Sequence, residues 1–391
     1  MRTSGDAGDL ARWKWLAVVF TGLALRLGLW WFTLGTDDVR TWSVHGLRVA
    51  TGGLAGTYRN FLNFNHPPLM GLYAYQAWLW AAGDLLTFAR LIKLPGLFGE
   101  ALTVWALWRF AGRRASAAYA RLPAAILVSG YHGNTDCLCA ALVLVAAIAF
   151  EKERYFVAGL LWSAALNVKA LPLVLIPLVI LGVPNLQALA RLAAGGLLGM
   201  IPFLPPAILA GSAMYRNIIS YNSLAENWGV MALLNRAVDI PILGWIFDRI
   251  RYYWFNDGRY LTLLAVATIG LLSKLRSHMP MTEQAALGAV IFLVLAPGFG
   301  VQYVMFAAPL LCLVDLPEGL WWGWSSGIFI GAVYLGFLVS WTPMESRFKT
   351  LFTLPGSALG LLAWTVLLHF AWRHIRATWW VEARQVSPAR A

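Results

Sequence analysis

The amino-acid sequence predicts an all-α fold, a polytopic transmembrane helical bundle of about 11–13 spans. Of the 391 residues, 60% are hydrophobic and only 12% are charged, whereas soluble domains carry roughly 25% charged residues. Stretches such as 15–34, 192–210 and 351–370 are almost free of charge, and they approach the roughly 20 residues that a membrane-spanning helix needs. They lack the alternation at every second residue that outer-membrane strands show, so helices in lipid are expected.

The positions of basic residues predict the topology of this single domain, 1–391. Arg12 and Lys14 precede the first apolar stretch, and an excess of basic residues marks the cytoplasmic side of a membrane. The polar segment after the first span has helical periodicity with polar insertions, as helices lying along the membrane interface do. In order, we predict a first span at 12–34, an outer loop with interfacial helices at 37–92, spans over 94–211, an outer loop at 212–258, spans over 259–371 and a cytoplasmic tail at 372–391.

The net charge of +12 suits contacts between juxtamembrane residues and anionic lipid headgroups. No basic run stands clear of a predicted span, which argues against nucleic acid as a partner. Cys137, Cys139 and Cys312 have the spacing of neither a disulfide framework nor a metal site. We expect them to pack as small apolar residues.

Four polar segments share the outer surface in this topology, although its assignment rests on lysine and arginine alone. Three of the six histidines lie there as well. The segments are 36–42 (TDDVRTW), 65–69 (NHPPL), 131–136 (YHGNTD) and 297–303 (PGFGVQY), and the histidines are His45, His66 and His132.

Asp37 and Asp38 are the candidate catalytic residues, because they stand where the first helix meets water. A carboxylate beside a membrane-embedded cavity is partly desolvated, which raises its pKa and makes it a better general base. Such a base would take the proton of an acceptor hydroxyl or amide that attacks a sugar carbon. The alternative is structural: two solvated acids at the start of the next helix, where they suit the helix dipole.

The next two outer segments offer candidate substrate-binding residues. His66 begins a His-Pro-Pro run that fixes two φ angles, and a rigid helix start explains this run equally well. His132, Asn134 and Asp136 lie close together between two apolar helices, and such groups face water or a cavity because lipid penalises them. Capping of the next helix by Asn134 or Thr135 is the alternative.

Basic residues are candidates for binding a phosphate. Lys169 has mostly apolar neighbours and is costly there unless it meets an anion, such as the phosphate of a lipid carrier. Snorkelling to headgroups is the alternative. An outer-loop arginine such as Arg40 or Arg216 is a further candidate. The intramembrane charges Glu100 and Arg26 are expected to pair across helices.

No metal or other cofactor is predicted. His45, His66 and His132 are far apart in the sequence and lack the paired spacing of metal ligands. A divalent metal held by these histidines together with Asp37 or Asp38 is the alternative.

Together, these motifs resemble those of the GT-C glycosyltransferases, membrane enzymes that use polyprenyl-phosphate sugars. The 36–42 segment is similar to the acidic, Arg- and Trp-containing segment of the dolichyl-phosphate-glucose-dependent glucosyltransferases of N-glycan assembly. The 65–69 run resembles their Tyr-Pro-Pro-Leu, or the Lys-Pro-Pro-Leu of aminoarabinose transferases. The 132–136 segment resembles a polar outer loop of this class, and the 300–303 turn resembles its Arg-Tyr or Gln-Tyr segment. The resemblance covers about residues 12–315.

This resemblance implies a GT-C-like fold and an inverting transfer of a hexose, glucose or mannose, from a polyprenyl-phosphate donor to a glycan, lipid or protein acceptor. It implies a bacterial inner (plasma) membrane protein whose active site faces outward. A secondary transporter or lipid flippase is the alternative, but that class predicts inverted repeats, which the sequence lacks; a non-catalytic scaffold is a second alternative. Asp37 or Asp38 would be the base, and Arg40, His66, His132, Asn134, Asp136, Lys169, Gln302 and Tyr303 would bind substrate or phosphate.

Overall fold

The computed structural model describes residues 10–221, 223, 228–277, 279–339 and 354–376. Over this part of the chain all regular secondary structure is helical and no strand occurs, so the predicted all-α class is confirmed. The helices are α1 (Arg12–Phe32), α2 (Asp37–Asn60), α3 (Pro68–Ala81), α4 (Leu85–Ala120), α5 (Pro123–Ile126), α6 (Asp136–Glu151), α7 (Tyr155–Val168), α8 (Ile176–Gly182), α9 (Leu186–Gly199), α10 (Leu204–Met214), α11 (Gly229–Ala237), α12 (Gly244–Leu272), α13 (Met281–Leu295), α14 (Ala308–Val314), α15 (Leu316–Val339) and α16 (Leu354–Ile375).

Short irregular helical turns join several of these helices. A π-helical turn, Leu127–His132, continues α5 towards the start of α6, and another, Tyr215–Ile219, continues α10. Two 3₁₀ turns, Leu171–Leu175 and Val301–Phe306, precede α8 and α14. Such turns re-aim side chains within an otherwise helical chain, and they are frequent at functional sites.

Several helices have the length and composition of membrane spans. Among the described residues these are α1, α4, α12 with its C-terminal turn, and 358–375 within α16. A pair bent by 47°, α9 with the segment Ile201–Ile219, is a fifth if it counts as one span. Shorter apolar helical stretches lie at 155–168, 171–182, 281–295 and 301–314. The chain is therefore an all-helical integral membrane protein, and the number of 11–13 spans stays a prediction.

The two predicted outer loops contain more helix than the sequence patterns indicate. The first, 37–92, forms α2, α3 and the beginning of α4, where Asp84 caps the helix by accepting a hydrogen bond from Thr87 N at 2.8 Å. The second, 212–258, contains α11 and the first half of α12, which begins at Gly244. Aromatic and aliphatic residues are interspersed with charged residues there, so this polar stretch still has an apolar helical face. Of the predicted tail, 377–391 lie outside the described residues.

Two glycine turns bring the start of α2 against the turn that precedes α6. Gly35 has a φ of 98°, and a Cβ at this position would lie 2.5 Å from a backbone carbonyl oxygen of the opposite turn. Gly133 has a φ of 85°, and a Cβ there would lie 2.4 Å from a methyl group of Val39. Only glycine combines these backbone angles with so close an approach. The contact places the first residues of α2 beside those of α6.

A buried ion pair joins α1 to α4, as the sequence predicts. Arg26 Nη2 lies 2.7 Å from Glu100 Oε2, and both side chains are 3% exposed. Arg26 also donates to Ala120 O at 2.6 Å, and Tyr119 Oη donates to Glu100 Oε1 at 2.8 Å. The predicted pairing is confirmed, and both charges are satisfied inside the protein as a lipid environment requires.

Candidate active site

A cavity of about 750 Å³ collects most of the predicted site residues. Its walls come from the start of α2, the α2–α3 connection, the turns before α6, after α7, after α10 and before α14, and parts of α12, α13 and α15. Eight of the ten predicted residues line it: Asp37, Asp38, His66, His132, Asn134, Lys169, Gln302 and Tyr303. Segments that are far apart in the sequence therefore converge on one site.

Asp38 is held in place by the turn that precedes α6. Asn134 Nδ2 donates a hydrogen bond to Asp38 Oδ2 at 2.7 Å, and His132 Nε2 lies 3.0 Å from the same oxygen. The ring nitrogen is not aligned for a linear hydrogen bond, so this contact is mainly electrostatic. Burial raises the pKa of Asp38, but His132 and Asn134 lower it more, and the net pKa is well below its ordinary value. Asp38 is thus an anchored, ionised carboxylate.

Asp37, the neighbouring carboxylate, differs from Asp38 in its contacts. It makes no hydrogen bond or ion pair with any residue that the structure describes, and its half-buried side chain lines the cavity. Burial raises the pKa of Asp37, the Arg40 guanidinium offsets part of this increase, and the Asp38 charge adds to it, so the net pKa is raised. Of the two aspartates, Asp37 is therefore the more basic.

His132 is contacted at both ring nitrogens. Nε2 faces Asp38, while Nδ1 lies 2.8 Å from Tyr334 Oη and 3.4 Å from Thr36 Oγ1. The Thr36 hydroxyl donates to the backbone oxygen of His132 at 2.8 Å. Because the ring is 5% exposed and both nitrogens are engaged, His132 is placed to hold Asp38 and not to take a proton from a substrate.

Lys169 binds the carboxylate of Asp136. Its Nζ lies 2.7 Å from both carboxylate oxygens, and the two side chains are 13% and 2% exposed. The ammonium also lies 4.8 Å from the centre of the Tyr303 ring, close enough for a cation–π contact. Burial lowers the pKa of Lys169, but Asp136 and Tyr303 raise it more, so the group stays charged. Asp136 itself does not line the cavity and acts there only through Lys169.

His66 presents a neutral imidazole to the cavity. Its ring stacks on that of Trp42 with centroids 3.8 Å apart, and Tyr58 Oη donates to its backbone oxygen at 2.6 Å. Burial lowers the pKa of His66 well below its ordinary value. Behind it lies the fully buried His45. Burial and the charge of Arg48 lower the pKa of His45 to about 4. The α2–α3 connection therefore contributes uncharged hydrogen-bonding groups.

The cavity also contains polar residues that the sequence motifs miss. Arg259 on α12 and Tyr334 on α15 line it, whereas the predicted arginines Arg40 and Arg216 are not among its lining residues. The Arg259 guanidinium donates to backbone carbonyl oxygens at 3.2 to 3.4 Å. Its charge at the edge of an apolar helical stretch was a usable signal. Tyr334 gave none, because an aromatic residue on an apolar helix reads as ordinary core.

No group of three or more His, Cys, Asp or Glu side chains that could hold a metal ion occurs in the described part of the chain. The alternative of a metal held by His45, His66 and His132 therefore has no support in the geometry. The three cysteines are buried and none of them forms a disulfide, as expected for residues that pack in the protein interior.

The side chains of the cavity combine three functions at one place. A free carboxylate of raised pKa can accept a proton. An ammonium and a guanidinium can hold an anion. Neutral imidazole and amide groups can bind hydroxyl groups by hydrogen bonds. This set suits a reaction in which a proton is removed from one substrate while negative charge develops on another.

A scan against protein-family models found no match, and a search of curated proteins found none either. Among solved structures, the chain is similar to that of ArnT from Cupriavidus metallidurans bound to undecaprenyl phosphate. The two chains share 13% identical residues, the match covers 92% of this chain and 76% of that one, and the TM-score is 0.42. A likeness of this strength supports no conclusion about the fold or the activity.

Proposed function

We propose that this chain is a membrane glycosyltransferase of the GT-C type. In the proposed reaction it takes a hexose, glucose or mannose, from a polyprenyl-phosphate carrier. It transfers the sugar with inversion to a glycan, lipid or protein acceptor on the outer face of a bacterial inner (plasma) membrane. The observation that carries the proposal is the cavity lined by Asp37, whose carboxylate has no ion-pair partner among the described residues, and by the cations Lys169 and Arg259.

Asp37 is the general base of the proposed reaction. Its carboxylate has no described partner to give up and its pKa is raised, whereas one oxygen of Asp38 is occupied by Asn134 and His132. As the acceptor oxygen or nitrogen bonds to the sugar C1, its proton moves to Asp37. The bond between C1 and the phosphate oxygen breaks on the opposite face, and its electron pair leaves with the phosphate. A single displacement of this kind inverts the configuration at C1.

Lys169 and Arg259 are the proposed partners of the leaving phosphate. Two of the three ammonium protons of Lys169 point to Asp136, which leaves the third for a ligand in the cavity. Arg259 contacts backbone carbonyls and no carboxylate of the described residues, so its charge is available. Guanidinium groups bind phosphate oxygens in a bidentate manner. Arg40 and Arg216 lie outside the lining and have no part in this step.

The remaining wall suits the other parts of the two substrates. His66, Gln302 and Asn65 offer hydrogen bonds to sugar hydroxyl groups. Apolar side chains of the same wall suit the first isoprene units of a carrier, because they need no partner other than hydrocarbon. These apolar residues include Leu173, Val174, Ile218, Leu263 and Phe292.

A transfer assay tests the proposal. The purified protein in lipid vesicles is incubated with a panel of polyprenyl-phospho-hexoses and -pentoses and an extract of candidate acceptors, and products are identified by mass spectrometry. The expected result is a hexosylated product with inverted configuration that is absent with the Asp37→Asn variant. Movement of the carrier between leaflets without any sugar transfer would instead support the flippase alternative and refute the enzyme.

A further inference from the structure

We propose that Tyr334 is a positioning residue, which fixes the proton of His132 on the ring nitrogen facing Asp38. Through His132 it would hold Asp38 in the orientation seen beside the base. The kinetic part of this inference rests on the proposed transfer reaction, while its structural part can be measured without any activity.

The geometry around His132 is closely packed. The residue ends the π-helical turn Leu127–His132, and its ring lies almost parallel to that of Tyr334, with an interplanar angle of 20° and centroids 5.4 Å apart. Tyr334 is 1% exposed, and its hydroxyl oxygen lies 2.8 Å from His132 Nδ1. A helix late in the sequence thus reaches the turn that anchors Asp38.

A count of protons assigns the direction of these hydrogen bonds. We take His132 as a neutral ring. The Asp38 carboxylate can only accept, so the ring avoids repelling it only with its proton on Nε2, which lies 3.0 Å from a carboxylate oxygen. Nδ1 is then bare and needs a donor. The hydroxyl proton of Thr36 is already used, because it points to the backbone oxygen of His132 at 2.8 Å. Among the described residues, the phenol of Tyr334, whose oxygen lies 2.8 Å from Nδ1, is the group placed to donate to it.

Removing this phenol would leave a bare ring nitrogen in a buried site. The ring can then move its proton to Nδ1 and donate to Thr36 Oγ1, which lies 3.4 Å away. Nε2 would in that case present a lone pair to the Asp38 carboxylate, which repels it. Asp38 would keep only its bond from Asn134, and the arrangement of charges next to Asp37 would loosen. We therefore expect the turnover rate to fall, while substrate affinity is retained.

The chain offers a matched control in Tyr131. Its ring centroid lies 5.4 Å from that of Tyr334 and its side chain is also buried. The two ring nitrogens of His132 face Asp38 and Tyr334 and not the Tyr131 hydroxyl. Tyr131→Phe removes a phenol hydroxyl from the same region without touching the tautomer of His132. A general loss of packing or polarity would affect both tyrosine variants alike.

The kinetic experiment compares kcat and KM of the full-length protein in vesicles. Tyr334→Phe is expected to lower kcat about tenfold, as for the loss of one buried hydrogen bond, with KM unchanged within about twofold. Tyr131→Phe should leave both constants near those of the wild type. In a His132→Gln background, Tyr334→Phe should have no further effect, because the residue acts through His132. An equal loss in both backgrounds, or an equal loss with Tyr131→Phe, would overturn the proposal.

The structural experiment records the ¹⁵N spectrum of histidine-labelled full-length protein at a pH about two units above the ordinary histidine pKa. His132→Gln identifies the His132 signals. We expect a bare Nδ1 and a protonated Nε2 in the wild type and in Tyr131→Phe, and a proton wholly or partly on Nδ1 in Tyr334→Phe. The same tautomer in all three proteins, or a wild-type ring protonated at Nδ1, would overturn the inference. If the tautomer shifts as expected but no donor supports transfer, only the proposed function fails.

Discussion

Replacing Asp37 by asparagine separates the roles of two adjacent carboxylates. Asparagine has nearly the same shape as aspartate but cannot accept a proton near neutral pH. Because Asp37 makes no hydrogen bond or ion pair with the described residues, the substitution breaks no hydrogen bond or ion pair that the structure describes. A general base typically contributes a factor of about 10² to 10⁴ to the rate. We therefore expect kcat to fall by about that factor, with the unfolding temperature unchanged.

Asp38→Asn is the matched comparison, since it makes the same replacement of a carboxylate by an amide at the neighbouring residue. It removes the charge that faces His132 and replaces the acceptor of Asn134. A hydrogen bond to a charged group contributes about 1.5–3 kcal/mol. The Asp38 side chain is 38% exposed, so solvent screening brings the loss to the lower end of that range. This variant should thus lose both activity and thermal stability.

The assay combines initial transfer rates with thermal unfolding of each variant in the same lipid. The reasoning predicts a stable, nearly inactive Asp37→Asn protein and a destabilised Asp38→Asn protein with an intermediate rate. It is refuted if the activity of Asp37→Asn falls by less than about tenfold, because a general base contributes a factor of about 10² or more. An inactive Asp38→Asn of unchanged stability would transfer the role of base to Asp38.

Acid should abolish activity before it unfolds the protein: kcat/KM is expected to fall as the pH drops through the raised pKa of Asp37, because only the deprotonated base works. The stabilising contribution of Asp38, whose pKa is lowered by folding, is present above the ordinary value of 3.8 and lost only below it. Arg259→Gln should raise KM for the donor about tenfold, while Arg249→Gln, an exposed change on the same helix, should not. Glu100→Gln should reduce the free energy of unfolding by about 3–5 kcal/mol, because it leaves a buried guanidinium uncompensated.

Each of these expectations has a clear contrary result. An acid limb of the pH–rate profile at or below the ordinary carboxyl value would remove Asp37 as the base. A change in KM that Arg249→Gln reproduces would show a general electrostatic effect on a charged lipid substrate. Chemical unfolding in detergent micelles measures the free energy of unfolding of Glu100→Gln. A variant as stable as the wild type would contradict the expected cost of leaving Arg26 without its partner.

The all-helical fold and most of the cavity residues could be predicted from the sequence, because lipid restricts both. Polar groups in a lipid-embedded chain must meet water, a cavity or one another, so the run from His132 to Asp136 stood out against its apolar surroundings. The same logic predicted the pair of Arg26 and Glu100, which the structure confirms.

The sequence could not show which of these groups pair with one another and which stay available to a substrate. Lys169 and Asp136 are 33 positions apart, and nothing in the pattern indicates that one neutralises the other. Asp37 and Asp38 are equivalent in the sequence, and only the turn carrying Asn134 distinguishes them. Tyr334 depends on the packing of a late helix against an early turn, which a one-dimensional pattern does not record.

The Lys169–Asp136 pair has a consequence for selectivity in a membrane crowded with anionic lipids. A bare ammonium at the cavity wall would attract any phospholipid head that drifted past, and the site would spend much of its time blocked. Because Lys169 already has its own carboxylate at 2.7 Å, an incoming phosphate must share that ammonium and gains little from charge alone. Firm binding of a phosphate would then also need Arg259, which contacts no carboxylate of the described residues. If the proposed phosphate site is correct, the internal counterion of Lys169 would thus disfavour lipid headgroups that approach Lys169 alone.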